Sequence, residues 1–320
     1  MKTRAWVAAG IASLMFGAAI PATLVQAFEL SRGVIVDPGR GVVYLMNREH
    51  GIDATEIASG KIIWHTTVAA EPLLLLDDRL VAQAETPAGA RTLQITILNT
   101  AANGEPVVSA AVPLPAPVFA SIDDGMSTSF TADARMASGA LEVSWHFVQR
   151  AASGFGRPGS PLTSEVDGAA RIDLKTAQVQ VLPARNASTR PSASSGGIAT
   201  ANIRLEQGFN FAIASADGLT ILANKAAGID ATGWTDYLWA IYSLQTHERL
   251  AEIRMPTSAA PFFVLSSMLV YVSRPYGRRI DGKWIQEPLE LRAVDLNNGR
   301  EAWKMPVRDP AYRGPLPPRP

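Results

Sequence analysis

The sequence contains no cysteine. Disulfide-held folds, thiolate metal sites and a cysteine nucleophile are thereby excluded, and apolar burial has to hold whatever structure forms. An excess of charge of either sign is missing too. Lys and Arg number 29 against 29 Asp and Glu, so no general attraction to nucleic acid or anionic lipid is implied. Histidine is scarce: His50, His65, His146 and His247 are the only four, and none stand at the close spacing of a metal pair on one element. They read as solvated side chains, and the expectation is no metal site. Ser153-Gly154-Phe155-Gly156 is glycine-rich but lacks the strand-to-helix setting and the Lys-Ser/Thr pair of a phosphate loop.

Long apolar runs are confined to the first residues. Lys2 and Arg4 precede an apolar stretch from Ala5 to Ile20, and Val25-Gln26-Ala27 offers small residues where a signal peptidase reads. Gly10, Gly17 and Pro21 interrupt the stretch, which falls short of the roughly 20 apolar residues of a spanning helix. A signal peptide over 1–27 is expected, with no integral membrane segment after its removal. Without a cysteine, bacterial lipid anchoring is excluded. The expected location is the periplasm or the exterior.

What is present is repetition. Ala54 to Trp64 reads A-T-E-I-A-S-G-K-I-I-W, and Leu291 to Trp303 reads L-R-A-V-D-L-N-N-G-R-E-A-W. In each, an alternating strand ends at an acidic residue (Glu56, Asp295), a polar turn closes on Gly60 or Gly299, and a second strand carries Trp four residues later. Glycine suits such a turn because it takes positive φ without a Cβ clash. Three weaker copies keep the frame. Asp173, Ala177 and Val181 fill the three slots in one, and Ser243, His247 and Ala251 in another. The copy from Thr96 to Val108 requires a turn one residue longer at Asn103-Gly104.

A second hairpin precedes these units. Pro72 to Gln83 matches Pro261 to Val272 in pattern, and the stretches from Val34 and from Phe211 share the shape. Two hairpins per unit make a four-stranded antiparallel sheet, and radial repetition of such sheets makes a β-propeller. The fold class expected is therefore all-β, a propeller of four-stranded blades over residues 28–308. Five blades are counted, beginning near Val34, Pro72, Pro117, Phe209 and Pro261, with six or seven as alternatives because Val118 to Ile122 and Leu141 to Val148 could each start a sheet. The tail 309–320, with five prolines, is expected to be extended or disordered, and Ala184 to Glu206 reads as a flexible loop.

The strand, acidic residue, turn glycine, Lys or Arg and trailing Trp resemble the tryptophan-docking repeat of the quinoprotein, or PQQ-binding-like, β-propeller family. That resemblance implies that Trp64, Trp303, Gly60 and Gly299 are structural, each Trp packing between adjacent blades. The same repeat serves quinone-dependent dehydrogenases and a non-enzymatic scaffold of bacterial outer-membrane assembly, so fold does not decide activity. Quinone catalysis in the family accompanies a calcium ion held by carboxylate and amide oxygens, an Asp base and often adjacent cysteines. This chain has no cysteine, and no Asn or Asp pair stands at a matching motif position. No catalytic residue and no cofactor are therefore expected, with a PQQ-dependent periplasmic oxidoreductase using calcium as the alternative.

Asp77-Asp78 and Asp123-Asp124 fall where tight turns are expected, and Asn186-Ala187-Ser188 fits a glycosylation pattern that matters only in a eukaryotic secretory pathway. The longest insertions, Gln149 to Asp167, Lys225 to Asp236 and Arg274 to Glu287, fall between second and third strands and should emerge on one face. They bring Trp234, Arg274, Tyr276, Arg278, Arg279, Lys283 and Trp284 to it, residue types over-represented at binding surfaces. This face is the expected site for a cell-envelope or secreted protein partner.

Overall fold

The computed structural model describes residues 26–86, 90–115, 126–151, 162–183, 203–229, 235–273, 277–280, 283–286 and 289–308. The leader, the 309–320 tail, the 123–124 carboxylate pair and residues 153–156 and 186–188 lie outside them.

Five antiparallel sheets follow one another along the chain. The first holds β1 (Phe28–Ser31), β2 (Val34–Asp37), β3 (Val42–Met46), β4 (Ile52–Glu56) and β5 (Ile62–Thr66). The second holds β6 (Glu71–Leu76), β7 (Arg79–Gln83), β8 (Thr92–Asn99) and β9 (Glu105–Pro113). The third is β10 (Met126–Ala137), β11 (Ala140–Ala151), β12 (Leu162–Ile172) and β13 (Val179–Leu182). The fourth is β14 (Asn210–Ala214), β15 (Thr220–Ile229), β16 (Thr235–Ser243) and β17 (Arg249–Met255). In the fifth, β18 (Phe262–Leu265) and β19 (Met268–Ser273) lead through a separate hairpin, β20 (Gly277–Ile280) and β21 (Lys283–Gln286), to β22 (Glu290–Asp295) and β23 (Arg300–Pro306). Every sheet is ordered as the chain runs, each strand beside the next. In the third blade the described residues begin at Met126, and the expected start near Pro117 lies outside them. Val118 to Ile122 is outside the described residues, and Leu141 to Val148 belongs to the second strand of that blade.

In the first, second and fifth blades the middle strands are largely apolar on both sides because a neighbouring blade covers each face. β3, Val-Val-Tyr-Leu-Met, is buried throughout. Its Tyr44 faces Leu80, Ala82 and Leu98 of the second blade, while Val43 and Leu45 face Phe263, Val270 and Leu291 of the fifth. Leu93, Ile95 and Ile97 of the second blade meet Leu141, Val143 and Trp145 of the third. Leu222, Trp239 and Ile241 of the fourth meet Phe262, Leu269 and Tyr271 of the fifth. The sheets thus sit side by side in the order third, second, first, fifth, fourth, so the two ends of the chain are joined within the ring. This is a five-bladed β-propeller.

The inner strands converge. Arg32, just after β1, donates from Nε to Glu71 Oε1 of β6 at 2.7 Å and from Nη2 to the Phe130 carbonyl of β10 at 3.1 Å. One guanidinium therefore ties three blades together at their inner edges.

One turn recurs in all five blades. Gly60, Gly104, Ala177, His247 and Gly299 have φ of 71°, 76°, 58°, 61° and 67°. Each backbone N–H returns to a carbonyl, of Glu56, Asn99, Asp173, Ser243 and Asp295 respectively, at 2.8 to 3.0 Å. The side chain in that slot also caps the turn: Asp173 accepts from the Thr176 and Lys175 amides, which hold its carboxyl below the usual range. Ser243, Asn99 and Asp295 accept turn amides in the same way. A short acceptor that binds its own following backbone is the reason the slot is polar.

The indoles pack between blades. Trp64 is buried, and a Cβ added to Gly104 of the second blade would stand 2.5 Å from its Cζ3. Trp303 is half-buried and donates from Nε1 to the Ile57 carbonyl at 2.8 Å. A Cβ on Gly60 would stand 2.5 Å from its Cγ. At Gly299 the neighbour is Ile253 of the fourth blade, 3.6 Å from such a Cβ.

At the two ends of this series the outer faces differ. The fourth turns Ile221, Ala223, Ala240 and Tyr242 toward Ile203, Leu205 and Phe209, residues just before its first strand. Part of the Ala184 to Glu206 segment is therefore packed, because Ile203 and Leu205 supply apolar cover to a sheet face. On the face away from the second blade, the third blade carries Thr131, Asp133 and Arg135 of β10, Glu142, Ser144 and His146 of β11, and Glu165, Asp167 and Arg171 of β12, a polar face.

Candidate binding face

The connections between second and third strands leave corresponding positions of the blades, and they differ greatly in length. In the first blade, β3 and β4 stop after 5 residues each and are joined through Asn47 to Gly51. Asn47 fixes that bend: its amide donates to Asp53 at 2.7 Å and its Oδ1 accepts from the Glu49 and Gly51 amides. In the third blade β11 and β12 run for 12 and 11 residues. They therefore project past the level at which the first sheet ends. In the fourth, β15 and β16 continue as a pair to Ile229–Thr235, and in the fifth the connection forms the β20–β21 hairpin.

This arrangement places four of the candidate residues on one element. Arg278, Arg279, Lys283 and Trp284 all belong to the β20–β21 hairpin, where Arg279 is paired with Trp284 and Arg278 with Ile285. Trp234, Arg274 and Tyr276 lie outside the described residues. Gly299 is at the opposite, turn-bearing end of its blade.

On the same side of the ring, Glu85 joins two ends of the chain. Its carboxylate is 2.7 Å from His50 Nδ1 and accepts from Arg308 Nη2 at 2.8 Å. The Arg308 amide also donates to the Met46 carbonyl at 3.0 Å. His50, in the β3–β4 connection, and the residue following β23 are thereby held against the second blade.

The projecting part of the third blade carries a group that spacing along the chain did not signal. β11 and β12 are in register so that His146 stands opposite Asp167 and Val148 opposite Glu165. His146 Nδ1 lies 2.6 Å from Asp167 Oδ1, and Nε2 lies 3.8 Å from Glu165 Oε1. One ligand-capable atom from each of the three falls within 4.8 Å of the others. His247 is the hairpin-turn residue expected, with φ of 61°.

The inner edges carry the other concentration of charge. Glu29 of β1 is pushed above the usual carboxylate range by burial and by the neighbouring Asp133 and Glu71 carboxylates, with Arg32 opposing. Both oxygens of Glu71 are engaged by Arg32, at 2.7 and 3.2 Å.

No family model matches the chain, and no curated protein matches it. Solved structures do align with it. BamB from Moraxella catarrhalis aligns at 10% identity over 83% of this chain and 58% of its own, with a TM-score of 0.22. The chain thus spans little more than half the length of that protein. A europium-containing methanol dehydrogenase aligns at 10% identity over 83% of this chain and 67% of its own, TM-score 0.24. The β-propeller domain of Cps50 (Swd1) from Myceliophteria thermophila aligns at 8% identity over 88% of each chain, TM-score 0.27. Superpositions this loose add nothing to the blade order and inter-blade packing, on which the propeller assignment rests.

Proposed function

We propose that this chain is an exported, non-catalytic propeller of the quinoprotein-like repeat type, whose strand-two-to-strand-three face binds a protein of the cell envelope. The observation that carries the reading is the β20–β21 hairpin. It is an extra two-stranded element set between the second and third strands of a blade, outside that blade's own sheet, with Arg279 paired to Trp284. A ring whose added hairpin carries Arg and Trp in its sequence has the composition of a protein-recognition surface. The indole-on-glycine contacts at Gly60 and Gly104 support the repeat type, and the leader pattern over 1–27 supports export.

The test is site-specific photo-crosslinking in cells of the source. A photoreactive residue at Trp284 or Arg279 is expected to trap one discrete envelope protein, and the same residue at Asn298, in the opposite turn, is not. R279E combined with W284A should abolish the adduct at a second hairpin site, Lys283, while leaving the melting temperature unchanged. Equal trapping from Asn298, or reduction of a dye by the purified protein given PQQ, calcium and an alcohol, would overturn the reading.

A further inference from the structure

We infer that the third blade carries a binding site for a divalent cation of the zinc class, built from His146 and Glu165 as ligands with Asp167 as the partner that orients the imidazole. The inference is independent of the protein-binding role.

The imidazole is arranged as a metal-ligating histidine is. Asp167 Oδ1 stands 2.6 Å from Nδ1 and accepts its proton. That bond fixes the tautomer, so Nε2 carries the lone pair and points away from Asp167. What Nε2 faces is the Glu165 carboxylate, at 3.8 Å. Zinc bonds of about 2.1 Å to nitrogen and oxygen at a tetrahedral angle set two ligand atoms roughly 3.4 Å apart. A small rotation of Glu165, whose side chain is 47% exposed, closes the difference. Water fills the remaining positions, since the face is open to solvent.

Charge points the same way. Glu142, on the same sheet face, is balanced by Arg135 and Arg171. Asp167 and Glu165 both face His146. Asp133, exposed on the neighbouring strand, adds negative charge to this face that it shares with Arg32. A pair of carboxylates flanking an oriented imidazole attracts a cation, and the nitrogen ligand selects a metal of the zinc class over calcium or magnesium.

The experiment is calorimetric titration of the purified protein with zinc alone, after chelator treatment. One equivalent per chain is expected, with weaker or no binding of calcium under the same conditions. H146A should remove that equivalent, and D167N should weaken it by about tenfold, the usual effect of losing the partner of a ligating histidine. Cobalt should give a visible ligand-field band that H146A loses. Because H146A could disturb the sheet, E165Q is the second variant: on an exposed side chain it should weaken zinc while leaving the melting temperature of the metal-free protein unchanged. Zinc binding that is equal in wild type and H146A, absent in wild type, or matched by calcium would overturn the site.

Discussion

The blades on either side of Trp64 and Trp303 and the third and fourth blades are built from the same turn, yet they use it in different ways. On the first side, an indole from one blade lies on the turn glycine of the next, fifth onto first and first onto second. On the other, Val181 takes the Trp position of the third blade and is 51% exposed, while Ala177 and His247 hold the left-handed turn position with side chains present. The indole and the glycine that receives it come from different repeats. The motif is therefore a pair across an interface: without glycine in the receiving turn, a Trp in the preceding blade has no flat seat. Gly299 shows that the converse fails, since Ala251 precedes it in the Trp position and Ile253 reaches it instead.

The contrast breaks most directly by truncation. Trp64→Ala is expected to cost about 3 to 5 kcal/mol and the half-buried Trp303→Ala the lower end of that range, whereas Val181→Ala should stay within about 0.5 kcal/mol. Urea unfolding of the three proteins decides it, and near-wild-type midpoints for both Trp variants would remove the docking account. The glycines give the next effect. Gly60→Ala combines a positive-φ penalty with a Cβ inside the indole, about 3 kcal/mol together. Placed in the Trp303→Ala background, it should cost only the backbone part, and a double-mutant cycle measures the difference. Ala177→Gly should instead stabilise the protein by about 1 kcal/mol, because it relieves the same φ with no indole to displace.

Arg32→Ala should cost about 2 kcal/mol, since the Glu71 side chain is only 6% exposed and would lose the guanidinium that neutralises it. Arg32→Lys should recover only part, because an ammonium cannot make the paired bonds to Glu71 and still reach the Phe130 carbonyl. Thermal melts of the three proteins at one pH check this, and it sharpens the comparison from a third direction: the inner edges of the first three blades are tied by charge, whichever way their outer strands are joined.

These cases mark what the chain makes legible. The turns could be read because each is local: an acceptor side chain, a few polar residues and a left-handed position within one short stretch. Even the longer turn at Asn103-Gly104 is as expected, with both residues at positive φ and the Gly104 amide returning one residue further, to Asn99. The indole contacts could be placed only through the family resemblance, because the two partners sit in neighbouring repeats. The His146–Asp167 pair could not be read at all. It depends on the register of two strands separated by a long connection, and a slip of one residue would put His146 on the other face. Arg32 and Glu71 are legible as charges, but nothing along the chain says that three inner strands meet.

The smallest effect tests whether that inner meeting point is as crowded as it looks. Glu29 has its carboxyl held above the usual range by burial first and by Asp133 and Glu71 next. The folded protein therefore prefers the protonated form. The stability this group contributes is full below the ordinary carboxylate pKa and is lost as pH rises through the raised value, so near neutral pH the ionised Glu29 opposes the fold. Glu29→Gln should raise the melting temperature slightly at neutral pH, and the gain should shrink as both proteins are taken toward the acid range. Glu29 sits among the inner strands yet keeps contact with solvent, so screening keeps the effect small and salt should reduce it further. A neutral variant that melts lower at pH 7 would mean that Arg32 governs Glu29 more strongly than its two acidic neighbours, and that the three inner strands are joined by attraction alone.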